Sequence, residues 1–109
     1  MPAFETNSPL RYPGGKAILT DFLGATIDAN KIQDCTYVEP YAGGAGASIN
    51  LLLAGKVSRI VLNDADRSVW SFWHSVLNHT EAFVERIRNT PVSVKEWQRQ
   101  RSIYHARPR

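Results

Sequence analysis

The sequence predicts an open α/β fold, present in part: two parallel strands with several helices around them. Three observations predict it. A short β-type run, Thr36 to Val38, leads through Glu39-Pro40-Tyr41 to a cluster of glycines, Gly43, Gly44 and Gly46. An apolar stretch of helical character, Ala47 to Ala54, follows directly. A second β-type run, Ile60 to Leu62, reads as a buried strand and ends in Asn63-Asp64. Strand, glycine turn and helix in that order form the ligand-holding end of an open α/β sheet, where glycine lets a ligand approach the backbone. An acidic residue at the tip of the second strand is where a nucleoside ribose is hydrogen-bonded. The pattern points to an adenosine-containing cofactor.

The glycine spacing narrows the choice. A phosphate-cradling loop needs Gly-Lys-Ser/Thr at the start of its helix, and here Gly46 is followed by Ala47-Ser48. A dinucleotide fingerprint needs a third glycine where Ile49 stands. S-adenosylmethionine carries no phosphate. Its loop needs room, and carboxylates for its hydroxyls, which Glu39 and Asp64 supply.

Taken in order, the 109 residues, 43% of them hydrophobic, fit one small domain with a small core. The single cysteine, Cys35, excludes an internal disulfide and a cysteine metal cluster, and reads as a small buried hydrophobe beside the first strand. No apolar run reaches the length of a membrane span, and the start of the chain does not resemble a secretion leader, so the expected compartment is the cytoplasm. Ser8-Pro9-Leu10-Arg11-Tyr12-Pro13-Gly14-Gly15-Lys16 reads as an irregular loop. A helix over Lys16–Ile27 is expected next, with Ile18, Leu19, Phe22, Leu23, Thr26 and Ile27 on one face. Lys16 in its first turn opposes the helix dipole. Together with free backbone N–H groups it could bind a carboxylate or phosphate; the plainer reading is a solvated lysine at a turn.

Beyond Asp64, Asp66 reads as a helix N-cap. Val69, Trp70, Phe72, Trp73, Val76 and Leu77 then recur at helical spacing, with Trp70 and Trp73 taken as core. His74 and His79 have no metal-like partner set and are assigned no chemistry. A second short helix with Phe83, Val84 and Ile87 ends at Asn89-Thr90-Pro91. Ser93-Val94-Lys95-Glu96 has the form of a capping box, opening a helix with Trp97, Arg101 and Tyr104 on one stripe and a frayed basic end, His105 to Arg109. Charge divides unevenly. Residues 1–85 carry six basic and nine acidic side chains; residues 86–109 carry seven basic (Arg86, Arg88, Lys95, Arg99, Arg101, Arg107, Arg109) against Glu96 alone. A basic end beside an acidic cofactor half suits a polyanionic substrate, although basic helix faces are commonly just solvated.

Pro-Leu-Arg-Tyr-Pro-Gly-Gly-Lys, then Val-Glu-Pro-Tyr-Ala-Gly-Gly-Ala-Gly, then Leu-Asn-Asp resembles the Dam-like, D12-class adenine-specific DNA methyltransferases. The resemblance runs from about Ser8 to about Tyr104, and three motifs in the right order are far more specific than one. It implies a Rossmann-like S-adenosylmethionine-dependent methyltransferase fold, incomplete here, in which Tyr12 and Lys16 line the cofactor pocket. Glu39, with Gly43, Gly44 and Gly46, would surround the methionine and ribose, and Asp64 would take the ribose hydroxyls. No metal is implied. Residues 8–64 would be the cofactor-loop region and 66–105 a helical region, basic from 86, both within one partial methyltransferase domain over 1–109.

The family's Asp/Asn-Pro-Pro-Tyr/Phe loop, which grips the target amino group, is not found. None of the six prolines is adjacent to another, so no catalytic residue is assigned. The expectation is an N-terminal piece of a site-specific DNA adenine-N6 methyltransferase, from a truncated gene, one half of a split gene or a deliberately shortened chain: inactive alone or active with a second chain that supplies the catalytic half, with double-stranded DNA bound through the complete enzyme. The alternative is a non-catalytic remnant, or a module that binds nucleic acid or a partner protein.

Overall fold

The computed structural model describes residues 7–108. The chain divides into two compact units, Met1–Trp73 and His74–Arg109, with the boundary inside one helix.

The first unit is built on two parallel strands, β1 (Thr36–Glu39) and β2 (Arg59–Leu62), in register from Thr36 opposite Arg59 to Glu39 opposite Leu62. Branched and aromatic side chains suit a pleated surface, which is why these short runs pair. The ladder continues past the strand ends. The Asn63 N–H donates to the Glu39 carbonyl at 2.9 Å, and the Ala42 N–H donates to the Asn63 carbonyl at 2.9 Å. Pairing therefore extends into the turn that follows β1.

Helix α1 (Thr20–Ala29) precedes the sheet, and helix α2 (Gly46–Leu53) makes the crossover between the strands. Ile27 of α1 and Leu51 of α2 meet Val57, from the segment before β2, in a small core against which Leu23, Cys35, Tyr37 and Ile60 pack. Alternation along a strand sends Tyr37 and Ile60 inward and their neighbours outward. Val38 and its register partner Val61 are accordingly 60% and 45% exposed. The expected buried second strand is thus buried on one face only, because α1 and α2 both contribute to the core on the same side. Cys35 is half-buried at the core's margin rather than enclosed.

The helix expected over Lys16–Ile27 begins instead as a 3-10 turn, Ala17–Leu19, and becomes α-helical at Thr20. The Thr20 hydroxyl donates to the Ala17 carbonyl at 2.6 Å within that tighter turn. Lys16 consequently sits before the helix, outside its first turn. Helix α3 (Arg67–Asn78) starts as expected at Asp66, whose Oδ1 accepts from the N–H of Ser68 at 2.7 Å and of Val69 at 3.4 Å. Of the two tryptophans read as core, Trp73 is 8% exposed and Trp70 is 49% exposed. Val69 and Trp73, four residues apart, share the buried stripe; Trp70 lies one position further round the helix.

The second unit holds α4 (Thr80–Asn89) and α5 (Val94–His105), neither with a fully buried residue. Thr90 closes α4 by donating its hydroxyl to the Arg86 carbonyl at 2.6 Å. Only half of the expected capping box forms. The Ser93 hydroxyl accepts from the Glu96 N–H at 3.1 Å, but Glu96 turns its carboxylate forward. There it accepts from Arg99 Nε at 3.0 Å, Arg99 Nη2 at 2.7 Å and Gln100 Nε2 at 2.8 Å. The two-pronged arginine bond is the stronger partner for a carboxylate. The Arg101 guanidinium lies 5.3 Å from the Trp97 ring centre, and that of Arg107 lies 4.3 Å from the Tyr104 ring centre. Arg109, the last of the basic residues, lies outside the described residues. No helix among the described residues is long and apolar enough to cross a membrane.

The Glu96 fork has a readable pH signature. The Arg99 bond first, then the Gln100 bond, lower the Glu96 carboxyl to about 2 from 4.5. A carboxyl whose folded-state pKa is depressed favours the folded helix above its ordinary value and withdraws that support as pH falls through the folded one. An NMR titration should therefore place the Glu96 midpoint near 2, and Arg99→Ala should raise it toward the ordinary range, with the Gln100 bond still holding it somewhat low. An ordinary midpoint in the unaltered protein would mean that the fork does not form in solution.

Candidate functional site

The site is the turn between β1 and α2. Gly43 takes a left-handed backbone, φ +49°, and so does Ala45, φ +51°. That conformation costs a residue with a Cβ about 1–2 kcal/mol. A tight bond from the Ala45 N–H to the Ala42 carbonyl at 2.6 Å closes the bend. Every residue from Ala42 to Ser48 is buried.

What buries the turn is the chain's own N-terminal loop. A Cβ on Gly43 would lie 2.7 Å from Tyr12 Cδ1, and one on Gly44 would lie 2.6 Å from the Leu10 carbonyl oxygen. A Cβ on Gly46 would reach 3.0 Å from that of Ala17. The Ser8 hydroxyl donates to the Gly44 carbonyl and accepts from the Leu10 N–H at 3.1 Å. The loop that carries Tyr12 and the turn that carries the glycines are therefore one docked assembly. The glycines are required by that docking, whatever else they admit.

Asp64, just beyond β2, grips the turn from the neighbouring strand. Its Oδ2 accepts from the Gly43 N–H at 2.9 Å and its Oδ1 from the Asp66 N–H at 2.9 Å. A carboxylate has about four acceptor positions, so half of its capacity remains. The Gly43 carbonyl is held from the other side, accepting from the indole Nε1–H of Trp73 at 2.8 Å. Asn63 is exposed and donates its side-chain amide to the Pro40 carbonyl at 3.2 Å.

Glu39 ends β1 and is 5% exposed. Its Oε1 lies 3.4 Å from the Lys16 ammonium, and its Oε2 accepts from the Tyr37 hydroxyl at 3.2 Å. Burial, and then the neighbouring Glu39 charge and bond, push the Tyr37 phenol above its usual range. A buried carboxylate needs such partners. Lys16 also donates to the Tyr41 carbonyl at 2.6 Å. Instead of waiting at a helix start for an anion, Lys16 ties the end of the N-terminal loop to the strand end and the turn.

Tyr12, Lys16, Glu39, Gly43, Gly44, Gly46 and Asp64 all belong to this one assembly. Ser8, Leu10 and Trp73 belong to it as well, and the sequence did not reveal them as site residues. Ser8 and Leu10 act through short bonds that no periodicity announces. Trp73 did carry a signal, since a buried indole N–H seeks an acceptor.

The parallel pair, its glycine turn, a carboxylate at the end of β1 and another just beyond β2 define an α/β protein with a candidate site at the strand ends. The family model for D12 class N6 adenine-specific DNA methyltransferases matches residues 12–107, and the chain belongs to that family. Searches of curated proteins and of solved structures gave no significant match.

Proposed function

We propose that the first unit is the cofactor-binding part of a site-specific DNA adenine-N6 methyltransferase, a Rossmann-like arrangement that holds S-adenosylmethionine. The observation that carries this reading is the half-used Asp64 carboxylate beside the glycine turn, at the carboxyl ends of parallel strands. A half-buried carboxylate with free lone pairs suits a ribose diol, and the exposed Tyr41 and Asn63 leave that side open. Asp64 would accept from the ribose hydroxyls. Glu39 and Lys16 would fix the floor near the methionine, and Tyr12 would form a wall over Gly43. Bound cofactor supplies a methyl group on a positively charged sulfur. This chain's residues orient it and exclude water from it.

The cofactor region proposed is 8–64. The helical region 66–105, basic from 86, would face double-stranded DNA, with Arg101 set over the exposed Trp97 ring. Support for that is the charge division and the exposure of α5. Since no two prolines are adjacent in these residues, a Pro-Pro catalytic loop would have to come from another segment or a second chain. The 109 residues alone should therefore transfer no radiolabelled methyl group to adenine-rich duplex. Reproducible incorporation would refute that part of the reading. Calorimetric titration with S-adenosylhomocysteine tests the cofactor site itself, with weak binding expected. One observation favours a non-catalytic, nucleic-acid- or partner-binding module instead: the chain's own loop already fills the space over the glycines. No heat of binding, with retained affinity for duplex DNA, would select that reading.

A further inference from the structure

We infer that Trp73 is a positioning residue for the cofactor site, acting through the Gly43 peptide. The inference rests on the functional reading above and deepens it. Gly43 is held from three directions. Asp64 accepts from the Gly43 N–H at 2.9 Å, Trp73 donates to the Gly43 carbonyl at 2.8 Å, and the Tyr12 ring lies against the Gly43 α-carbon. Gly43 is left-handed, with no side chain to lock it, so these neighbours set its orientation. In a trans peptide the carbonyl and the next N–H point to opposite edges. A carbonyl fixed toward Trp73 therefore fixes the direction of the Gly44 N–H.

The alternative orientation is a rotation of the Gly43–Gly44 peptide, which glycine on both sides permits at little cost. It would turn the Gly43 carbonyl out of the interior and carry the Gly44 N–H with it. The buried indole opposes this, because rotation would leave its N–H without an acceptor. Asp64 alone cannot, since it holds the Gly43 N–H in the preceding peptide. Trp73 can, because it is itself held in place: it is buried and shares a helical stripe with buried Val69, behind the Asp66 cap. Its ring also packs edge-on against Phe72, with centres 5.0 Å apart. The ligand class served is the adenosine-bearing sulfonium cofactor and its demethylated product.

The test uses the full chain with Trp73→Phe and, in parallel, Trp73 replaced by its benzothiophene isostere. The isostere keeps the bicycle and removes only the N–H, so it remains informative if the smaller phenylalanine impairs folding. Carbon-13 and nitrogen-15 shifts of the Gly43 carbonyl and Gly44 amide are read first, without ligand. Affinity for S-adenosylhomocysteine follows. The expected result is displaced Gly43 and Gly44 signals, a melting midpoint for the isostere lowered by only about 4–8 °C, the shift that one bond of about 1 kcal/mol produces, and an affinity loss of roughly tenfold. Unmoved Gly43 and Gly44 signals overturn the inference, as does an isostere that binds as tightly as the unaltered protein. If the unaltered protein itself binds no ligand, the functional reading fails, and this inference with it.

Discussion

Gly44→Ala should lower the melting midpoint by roughly 10 °C, the shift that about 2 kcal/mol produces in a domain of this size. The added Cβ would sit 2.6 Å from the Leu10 carbonyl oxygen, a backbone atom with no rotamer to escape into. Either the turn or the N-terminal loop must move. Forcing a methyl group into a packed site typically costs about 1–3 kcal/mol. Movement there would also break the bond from the Ser8 hydroxyl to the Gly44 carbonyl, worth about 1 kcal/mol. The core beneath is small, so the change is a large share of the total stability. Gly15→Ala makes the matching control, because its Cβ would meet the Tyr12 carbonyl oxygen at an ordinary 3.6 Å and its φ is not left-handed. A pair of variants that melt alike would show that the loop is not docked on the turn.

Asp64→Asn should weaken S-adenosylhomocysteine binding on the order of ten- to a hundredfold, because charge-assisted bonds to a diol are the strong ones. The amide keeps one acceptor oxygen and places an NH2 where the second stood. It can serve the Gly43 N–H or the Asp66 N–H, not both. Some loss of stability must accompany the loss of affinity, and the two separate by comparison with Asp64→Ala. Alanine removes both backbone bonds and should melt lowest of the three. If asparagine binds the ligand as well as aspartate while melting lower, Asp64 serves the turn and not the cofactor.

The strands were legible because Thr36–Val38 and Ile60–Leu62 are short branched runs flanked by turn residues. The structure extends each by a single residue, to Glu39 and from Arg59. The Asp66 cap was legible because a cap is a local event between near neighbours in sequence. The exposure of Val38 and Val61 was not, since it depends on which side the helices pack, and an apolar triplet reads the same covered on one face or two. Trp70 and Trp73 were indistinguishable by spacing, and only the Val69 stripe separates them. The residues of the assembly around the glycine turn were singled out through motif and resemblance. Their roles toward one another were not, because the Glu39–Lys16 pair and the Tyr12–Gly43 packing join residues far apart in the chain.

The most direct measurement is a chemical-shift titration of the nitrogen-15-labelled chain with S-adenosylhomocysteine, read residue by residue. The proposed site predicts saturable shifts at Gly43, Gly44, Gly46, Asp64 and Tyr12, with the amides of α4 and α5 unmoved. No saturable shift, or shifts confined to α4 and α5, would contradict it.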